Sequence, residues 1–258
     1  MEVNLVLSGG GARGVAHLGV VKRMQEMNIT FHAISGVSAG AIAGAFIAMG
    51  LPPDEIMKVA VNNADFHIRR PPFTLGFFSK NNLERTLVKY FPENSFSALA
   101  IPLYVAAANI NSGVTEFFSS GELVRPLIAS ASLPLVFPAI EINGSQYLDG
   151  GLLNNLPVEP FLNDEHPIVG VHVNPVARHE KYRFNFQIIE RSMELAMNKN
   201  IRTRQKECTL FLEPPEMKRF TTYDFSKAEE MFSIGYEYAK EPLKKFIEQE
   251  GSQKSPTA

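Results

Sequence analysis

Apolar residues in this chain fall into short solid runs that alternate with longer stretches where they recur at helical spacing. Residues 3–7 are apolar apart from Asn4, as expected of a strand covered on both faces. Over 15–27, Leu18, Val20, Val21, Met24 and Met27 line up as one face of a helix. Residues 31–34 read as a second strand, and 38–49, rich in small apolar residues, as a second helix closed by Gly50. Pro52, Pro53, Asp54 and Glu55 open a third helix, with prolines and acids in its first turn. Further strands are expected at 103–108, 115–118, 168–173 and 210–212. Further helices are expected at 81–90, 122–129, 186–204 and 227–249, the last with a capping box of Ser226 and Glu229. Alternation of this kind predicts a three-layer α/β/α sandwich around a mainly parallel sheet. Without an internal repeat or a clean linker, residues 1–250 read as a single domain and the polar 251–258 as a flexible tail.

Composition narrows the function classes. The 258 residues are 45% hydrophobic and 20% charged, with a formal net charge of -2. That balance gives no basic face for phosphates, so no nucleic-acid partner is expected. Cys208 is the one cysteine, so an internal disulfide is excluded and a reducing compartment fits. Glu2 and Asn4 occupy the place of a basic leader region, and no run approaches the roughly 20 apolar residues of a membrane span. The expectation is a cytoplasmic protein, peripheral at most on a membrane; the oligomeric state is not legible. Residues 63–79 break the alternation. They carry Phe66, Ile68, Phe73, Leu75, Phe77 and Phe78 among prolines, with His67, Arg69 and Arg70. Two readings stand side by side, a lid or lipid-facing patch over 66–78 and a loop that tucks its rings under the fold.

The chemistry concentrates in two glycine-rich turns, each between a strand and a helix. The first is Gly9, Gly10, Gly11, Ala12, Arg13 and Gly14. Its G-x-G-x-x-G spacing admits a dinucleotide site, but that site needs an acid about 20 residues on to hold the ribose. No Asp or Glu lies between Asn28 and Ala39, which demotes the reading. No Gly-Lys-Ser/Thr follows, so a P-loop is excluded. An oxyanion hole of bare backbone N–H groups remains, beside a purely structural turn. The second turn, Gly36-Val37-Ser38-Ala39-Gly40, has the form of a nucleophile elbow, in which Gly36 and Gly40 leave room for a sharp bend that lifts the Ser38 hydroxyl. Asp149, in Asp149-Gly150-Gly151, is a candidate base; on its own the same triplet is a common hairpin turn. His172 falls inside a predicted strand and reads first as a buried, satisfied histidine. Met193 and Met197, with Ile189, read as core or a partner groove rather than a cofactor site.

Taken in order, Gly9 to Gly14, Gly36 to Gly40 and Asp149 to Gly151 resemble the three signature blocks of the patatin-like phospholipase family. Residues 129–138 also resemble the segment ahead of its aspartate block, with Leu135 and Ala139 standing where the family often has glycine and proline. The resemblance implies a Ser–Asp dyad without histidine: Ser38 as nucleophile, Asp149 as general base, the 9–14 turn as oxyanion hole with Arg13 fixing its shape, and Gly150 and Gly151 shaping the aspartate loop. Asn154 and Asn155 would hold that loop. No metal and no cofactor enter this scheme. The implied substrate is a phospholipid or lysophospholipid. A thioesterase or short-chain carboxylesterase with the same site, and a non-catalytic lipid-binding protein, are the alternatives.

Overall fold

The computed structural model describes residues 1–62, 80–134, 136–176, 178, 181 and 184–253. The aromatic segment 63–79 and Leu135 lie outside the described residues, and with them the expected patch over 66–78. Eight strands form one sheet: β1 (Glu2–Leu7), β2 (Thr30–Val37), β3 (Leu103–Asn109), β4 (Val114–Phe118), β5 (Ile140–Ile142), β6 (Ser145–Asp149), β7 (Ile168–Val171) and β8 (Leu210–Leu212). Their order is β5-β6-β3-β2-β1-β7-β8, with β4 also on β3. The centre, β3-β2-β1-β7-β8, is parallel. The remaining pairings are antiparallel.

Helices α1 (Val15–Glu26), α2 (Ala39–Ala48), α3 (Pro53–Asn62), α4 (Lys80–Tyr90), α5 (Val124–Ser130), α6 (Asn185–Asn198), α7 (Ile201–Arg204) and α8 (Ala228–Gln253) complete the fold. The main core joins α1, α2, α5 and α8 to one face of the sheet through Leu5, Leu7, Ile34, Val105 and Val169. A smaller cluster covers the other face, where Val6, Ala33 and Ile168 meet Leu156, Phe161 and Ile201. Alternation along β1 therefore feeds both cores, as expected of a strand covered on both sides. Among the described residues no helix is long and apolar enough to cross a membrane.

The structure departs from the local expectations at four places. The predicted helix over 186–204 is two helices, α6 and α7, parted at Lys199 and Asn200. Ile201 is drawn into the smaller core while α6 has no fully buried described residue, so the two cannot share one axis. Ser226 does not cap α8; it sits within a 3-10 turn, Phe225–Lys227, whose cap is Asp224. The β5–β6 hairpin was not foreseen, although Asn143 and Gly144 at its tip, both with positive φ (49 and 79), carry an ordinary turn signal. Helix α8 also continues through 251–253.

β3 positions the site by changing partner along one edge. Val37, the last residue of β2, stands opposite Ala106. The next residue, Ala107, stands opposite Asp149, the last residue of β6. β4 occupies the other edge over the same residues. The chain that leaves β2 into Ser38 and the chain that leaves β6 after Asp149 thus emerge side by side.

Among the described residues, helices α1 and α8 share the most extensive packing, and glycine makes it possible. A Cβ on Gly19 would strike the Phe232 carbonyl, and one on Gly235 would strike the Ala16 carbonyl. Gly235→Ala is expected to destabilise the fold by about 1–3 kcal/mol through overpacking, or roughly 3–10 °C in Tm by thermal unfolding. Gly251→Ala, in the same helix with nothing within 4 Å, should leave Tm unchanged or raise it slightly.

Candidate active site

Parallel pairing sets Leu7 beside Gly36, so the turns that follow β1 and β2 leave the same end of the sheet. Contact between them requires glycine. A Cβ on Gly40 would run into the Leu7 and Ser8 carbonyls, and one on Gly36 would lie 2.6 Å from the Gly40 carbonyl oxygen. Between them Ser38 adopts φ 55 and ψ -126, a conformation that a serine holds only when its surroundings impose it. Two hydrogen bonds do so. The Ser38 N–H donates to Ser130 Oγ at 2.8 Å, and the Ser130 hydroxyl donates to the Ala106 carbonyl at 2.7 Å. Ser130, at the end of α5, ties the elbow to β3. Two residues on, the Ser132 carbonyl accepts the Asp149 N–H at 2.9 Å. One helix end therefore fixes both expected partners.

Asp149 is 2% exposed. Its Oδ1 accepts the Gly151 N–H at 2.8 Å, and the Ser38 side chain is near enough to its carboxylate to lower the pKa. Burial raises its pKa to about 6, against the opposing pull of the bonds from Ser38 and Gly151. A carboxylate so placed is a stronger base than one in water yet still ionised at neutral pH.

The first turn meets Ser38 from the other side, since a Cβ on Gly9 would lie 3.1 Å from Ser38 Cβ. Its six residues divide by what their N–H groups do. Gly9 donates to Asn155 Oδ1 at 3.0 Å, Ala12 to the Thr222 carbonyl at 2.9 Å, and Arg13 to the Gly10 carbonyl at 3.1 Å. Gly14 ends the 3-10 turn Gly11–Gly14. The N–H groups of Gly10 and Gly11 find no acceptor among the described residues, and both residues line the cavity with Ser38 and Asp149. Gly11 has φ 55, and a Cβ there would lie 2.5 Å from the Thr222 carbonyl, so no other residue fits.

The Arg13 guanidinium is taken up by protein partners. Its Nε and Nη2 donate to the Phe220 carbonyl at 2.9 and 2.6 Å, and Nη1 donates to Asn174 Oδ1 at 3.1 Å and reaches Glu194 at 3.5 Å. The guanidinium braces the turn against these partners. Asn155, expected on the aspartate loop alone, joins that loop to the first turn through Gly9, while Asn154 accepts the Leu156 N–H and donates to Glu159. The link to Gly9 had no local signal, because its partners stand 146 residues apart.

None of the four described histidines lines the cavity. His17 is buried against the Ser8 carbonyl at 2.8 Å, and burial holds its pKa down at about 4. His172 is buried between Glu213 and Asn198. Cys208 offers no rival nucleophile, since burial pushes its thiol up to about 12.

The cavity above Ser38 has a volume of about 430 Å³. One wall is apolar, with Leu18, Ile42, Phe46, Ile56 and Val136; the other carries Arg191, Glu190 and Glu194 of α6 with Lys218 and Arg219. Met193 and Met197 also line it. Helix α6 is inverted: it turns Gln187, Glu190 and Glu194 to the cavity and leaves Ile188, Ile189 and Leu195 about half exposed.

Comparison with known proteins bears on the family and the fold. The patatin-like phospholipase model matches residues 5–162. The chain is 29% identical to lysophospholipase NTE1 of Kluyveromyces lactis, over 93% of this chain and 19% of that protein. It is 28% identical to lysophospholipase NTE1 of Saccharomyces cerevisiae, over 92% of this chain and 16% of that one. It thus spans less than a fifth of the length of these relatives. Among solved structures, VipD from Legionella pneumophila has a similar fold, with a TM-score of 0.57 at 15% identity over 95% of this chain and 67% of that one. ExoU of Pseudomonas aeruginosa, in complex with SpcU, has a TM-score of 0.50 at 15% identity, over 95% and 52%. With more than half of the chain matched, and the match spanning all three turns that meet at Ser38, this protein belongs to the patatin-like phospholipase family, a family of lipid ester hydrolases.

Proposed function

We propose that this chain hydrolyses the acyl ester of a lysophospholipid through a dyad of Ser38 and Asp149. The carrying observation is a serine on a strained elbow beside a buried carboxylate of raised pKa, at a cavity where the N–H groups of Gly10 and Gly11 find no acceptor among the described residues. Asp149 takes the Ser38 proton as Oγ adds to the ester carbonyl. The tetrahedral oxyanion forms against the N–H groups of Gly10 and Gly11; in other hydrolases one such donor is worth about 2.7–4 kcal/mol. Asp149 returns the proton to the departing glycerol oxygen, then draws one from water to release the fatty acid and restore Ser38. No metal or cofactor takes part in this sequence.

Three features support a single-chain lipid. The apolar wall of Leu18, Ile42, Phe46 and Ile56 suits an acyl chain, each buried methylene contributing about 0.8 kcal/mol. A volume of about 430 Å³ lies at the small end of ligand pockets, enough for one chain rather than two. Lys218 stands where the phosphate would emerge, beside the Arg191–Glu194 and Arg219–Glu230 ion pairs. The outward apolar side of α6 supports work at a lipid surface, on the cytoplasmic side as Cys208 suggests.

Ser38→Ala and Asp149→Asn are each expected to lower kcat/KM on lysophosphatidylcholine by at least about 10³-fold, with the double variant little worse, because the pair acts as a unit. A fluorophosphonate probe read by intact mass should add once to the wild type and not to Ser38→Ala. A wild type that adds no probe and turns over no ester, in monomeric or micellar form, would sink the proposal.

The carboxylate also sets a pH dependence. Asp149 works as a base only when ionised, so kcat/KM should fall below an apparent pKa of about 6 and stand roughly tenfold under its plateau at pH 5. Stability runs the other way. Its folded pKa of about 6 exceeds the ordinary 3.8, so this group favours the folded state most at low pH and loses that contribution as pH rises through 6. Asp149→Asn removes the cost of the buried charge and should stabilise the inactive protein at pH 8 by on the order of 3 kcal/mol, read as a higher Tm.

Ser130→Ala leaves the partly buried Ser38 N–H without its acceptor. It should lower kcat by roughly 10–100-fold with KM little changed, and destabilise the fold by about 1–3 kcal/mol.

A further inference from the structure

The opposite end of the sheet carries a second cluster of reactive side chains. Glu2 opens β1, His32 stands near the start of β2, and His166 lies two residues before β7. These three strands are adjacent and parallel, so all three residues sit at their N-terminal ends, while Ser38 follows a C-terminal end. At about 3.3 Å per residue, the length of β1 alone separates the two places by more than 15 Å.

The pairing of β1 with β2 shifts register between Val3 and Asn4: Val3 stands opposite Phe31 and Asn4 opposite Ala33. His32 is the extra residue. Such a bulge re-aims a side chain, and here it brings the His32 ring onto the His166 ring, stacked with centroids 3.9 Å apart and planes 12° from parallel. The two rings run in opposite senses between two carboxylates. At one end Glu2 Oε2 lies 4.0 Å from His32 Nδ1 and 3.5 Å from His166 Nε2. At the other end Asp164 Oδ1 bonds His166 Nδ1 at 2.7 Å, and Asp164 Oδ2 lies 3.8 Å from His32 Nε2.

Each carboxylate thus takes a different role. Asp164 accepts the His166 Nδ1–H, and the other ring nitrogen, Nε2, faces Glu2. A carboxylate behind a histidine in this way fixes the tautomer of a metal ligand and makes it more basic. On the Glu2 side two imidazole nitrogens and one carboxylate oxygen converge, all within 4.8 Å of one another. Among the described residues this is the one grouping of three such ligands. Tetrahedral zinc, with bonds of about 2.0–2.1 Å, needs its ligand atoms roughly 3.3 Å apart. To close the observed 3.5 and 4.0 Å to that spacing, the two rings must turn out of their stacked arrangement so that both ring planes meet at one ion.

We propose that Glu2, His32 and His166 form a binding site for a divalent transition-metal ion of the zinc type, with Asp164 as positioning residue and solvent in the remaining coordination position. Two imidazoles with one carboxylate select zinc and its neighbours over magnesium or calcium. Bound there, the ion ties β1, β2 and the segment before β7 together at the edge away from the ester chemistry. It stabilises the folded chain without entering hydrolysis.

Chelator-treated full chain is titrated with Zn²⁺ by calorimetry and with Co²⁺ by visible absorption. One ion should bind per chain, with a micromolar Kd, a tetrahedral Co²⁺ spectrum and a Tm raised by a few degrees. His32→Ala and His166→Ala should each weaken binding by about 100-fold or more, and Asp164→Asn by about 10-fold. Glu2→Gln, a change confined to an exposed side chain, tests the third ligand in a fold left intact, and circular dichroism checks the others. Ester turnover of the wild type should be the same with and without the ion. Failure of the wild type to bind either ion up to about 100-fold above the expected Kd would overturn the proposal. Binding with unchanged affinity in both histidine variants would do the same.

Discussion

The site depends on how one strand divides its edge. β3 gives residues up to Ala106 to β2 and those from Ala107 onward to β6. That switch leaves the Ala106 carbonyl to accept the Ser130 hydroxyl, which in turn accepts the Ser38 N–H. Without the switch, Ser38 and Asp149 would follow different strands with no reason to meet. A sheet parallel throughout would place a crossover helix between them; an antiparallel strand arriving beside β2 delivers the carboxylate directly. The mixed character of the sheet is thus what permits a two-residue arrangement.

The same packing sets the electrostatics. Asp149 is buried because the loop that carries it is wedged against β3, where a Cβ on Gly150 would strike the Ala106 carbonyl. Burial raises its basicity, and the bonds from Ser38 and Gly151 keep it from becoming neutral at working pH. The carboxylate is held between these opposing effects, and the fold is less stable for it. Strain at Ser38 adds to this cost. Both features are maintained by a core that is otherwise ordinary and apolar.

Much of this was legible in the residues alone. The two glycine turns announce themselves because close approach of backbone to backbone leaves one residue type that fits, and Gly11, Gly36 and Gly40 all meet that condition. β8 fell at its expected residues, and most other early elements within a few, because their apolar spacing is set locally. What escaped was non-local. Nothing near Ser130 says that its hydroxyl will bridge residues 38 and 106, and nothing near Asn155 says that it will take the Gly9 N–H. The break between α6 and α7 escaped for a related reason: Ile201 answers to a core assembled from β1, β2 and β7. The hairpin tip at Asn143 and Gly144 did carry a local signal, and the short strands beside it obscured it.

Arg13 carries an implication for how the chain matures. Its acceptors, Asn174, Glu194 and Phe220, come from the last third of the protein, and the Thr222 carbonyl closes the same turn. The nucleophile and the oxyanion turn are both synthesised within the first 40 residues, yet the bracing of the turn is incomplete until residue 222 has emerged. The first residues made are therefore among the last to acquire their working shape. A chain ending at residue 162, where the family match ends, would carry all three signature turns and still present an unsupported cation in place of a rigid loop.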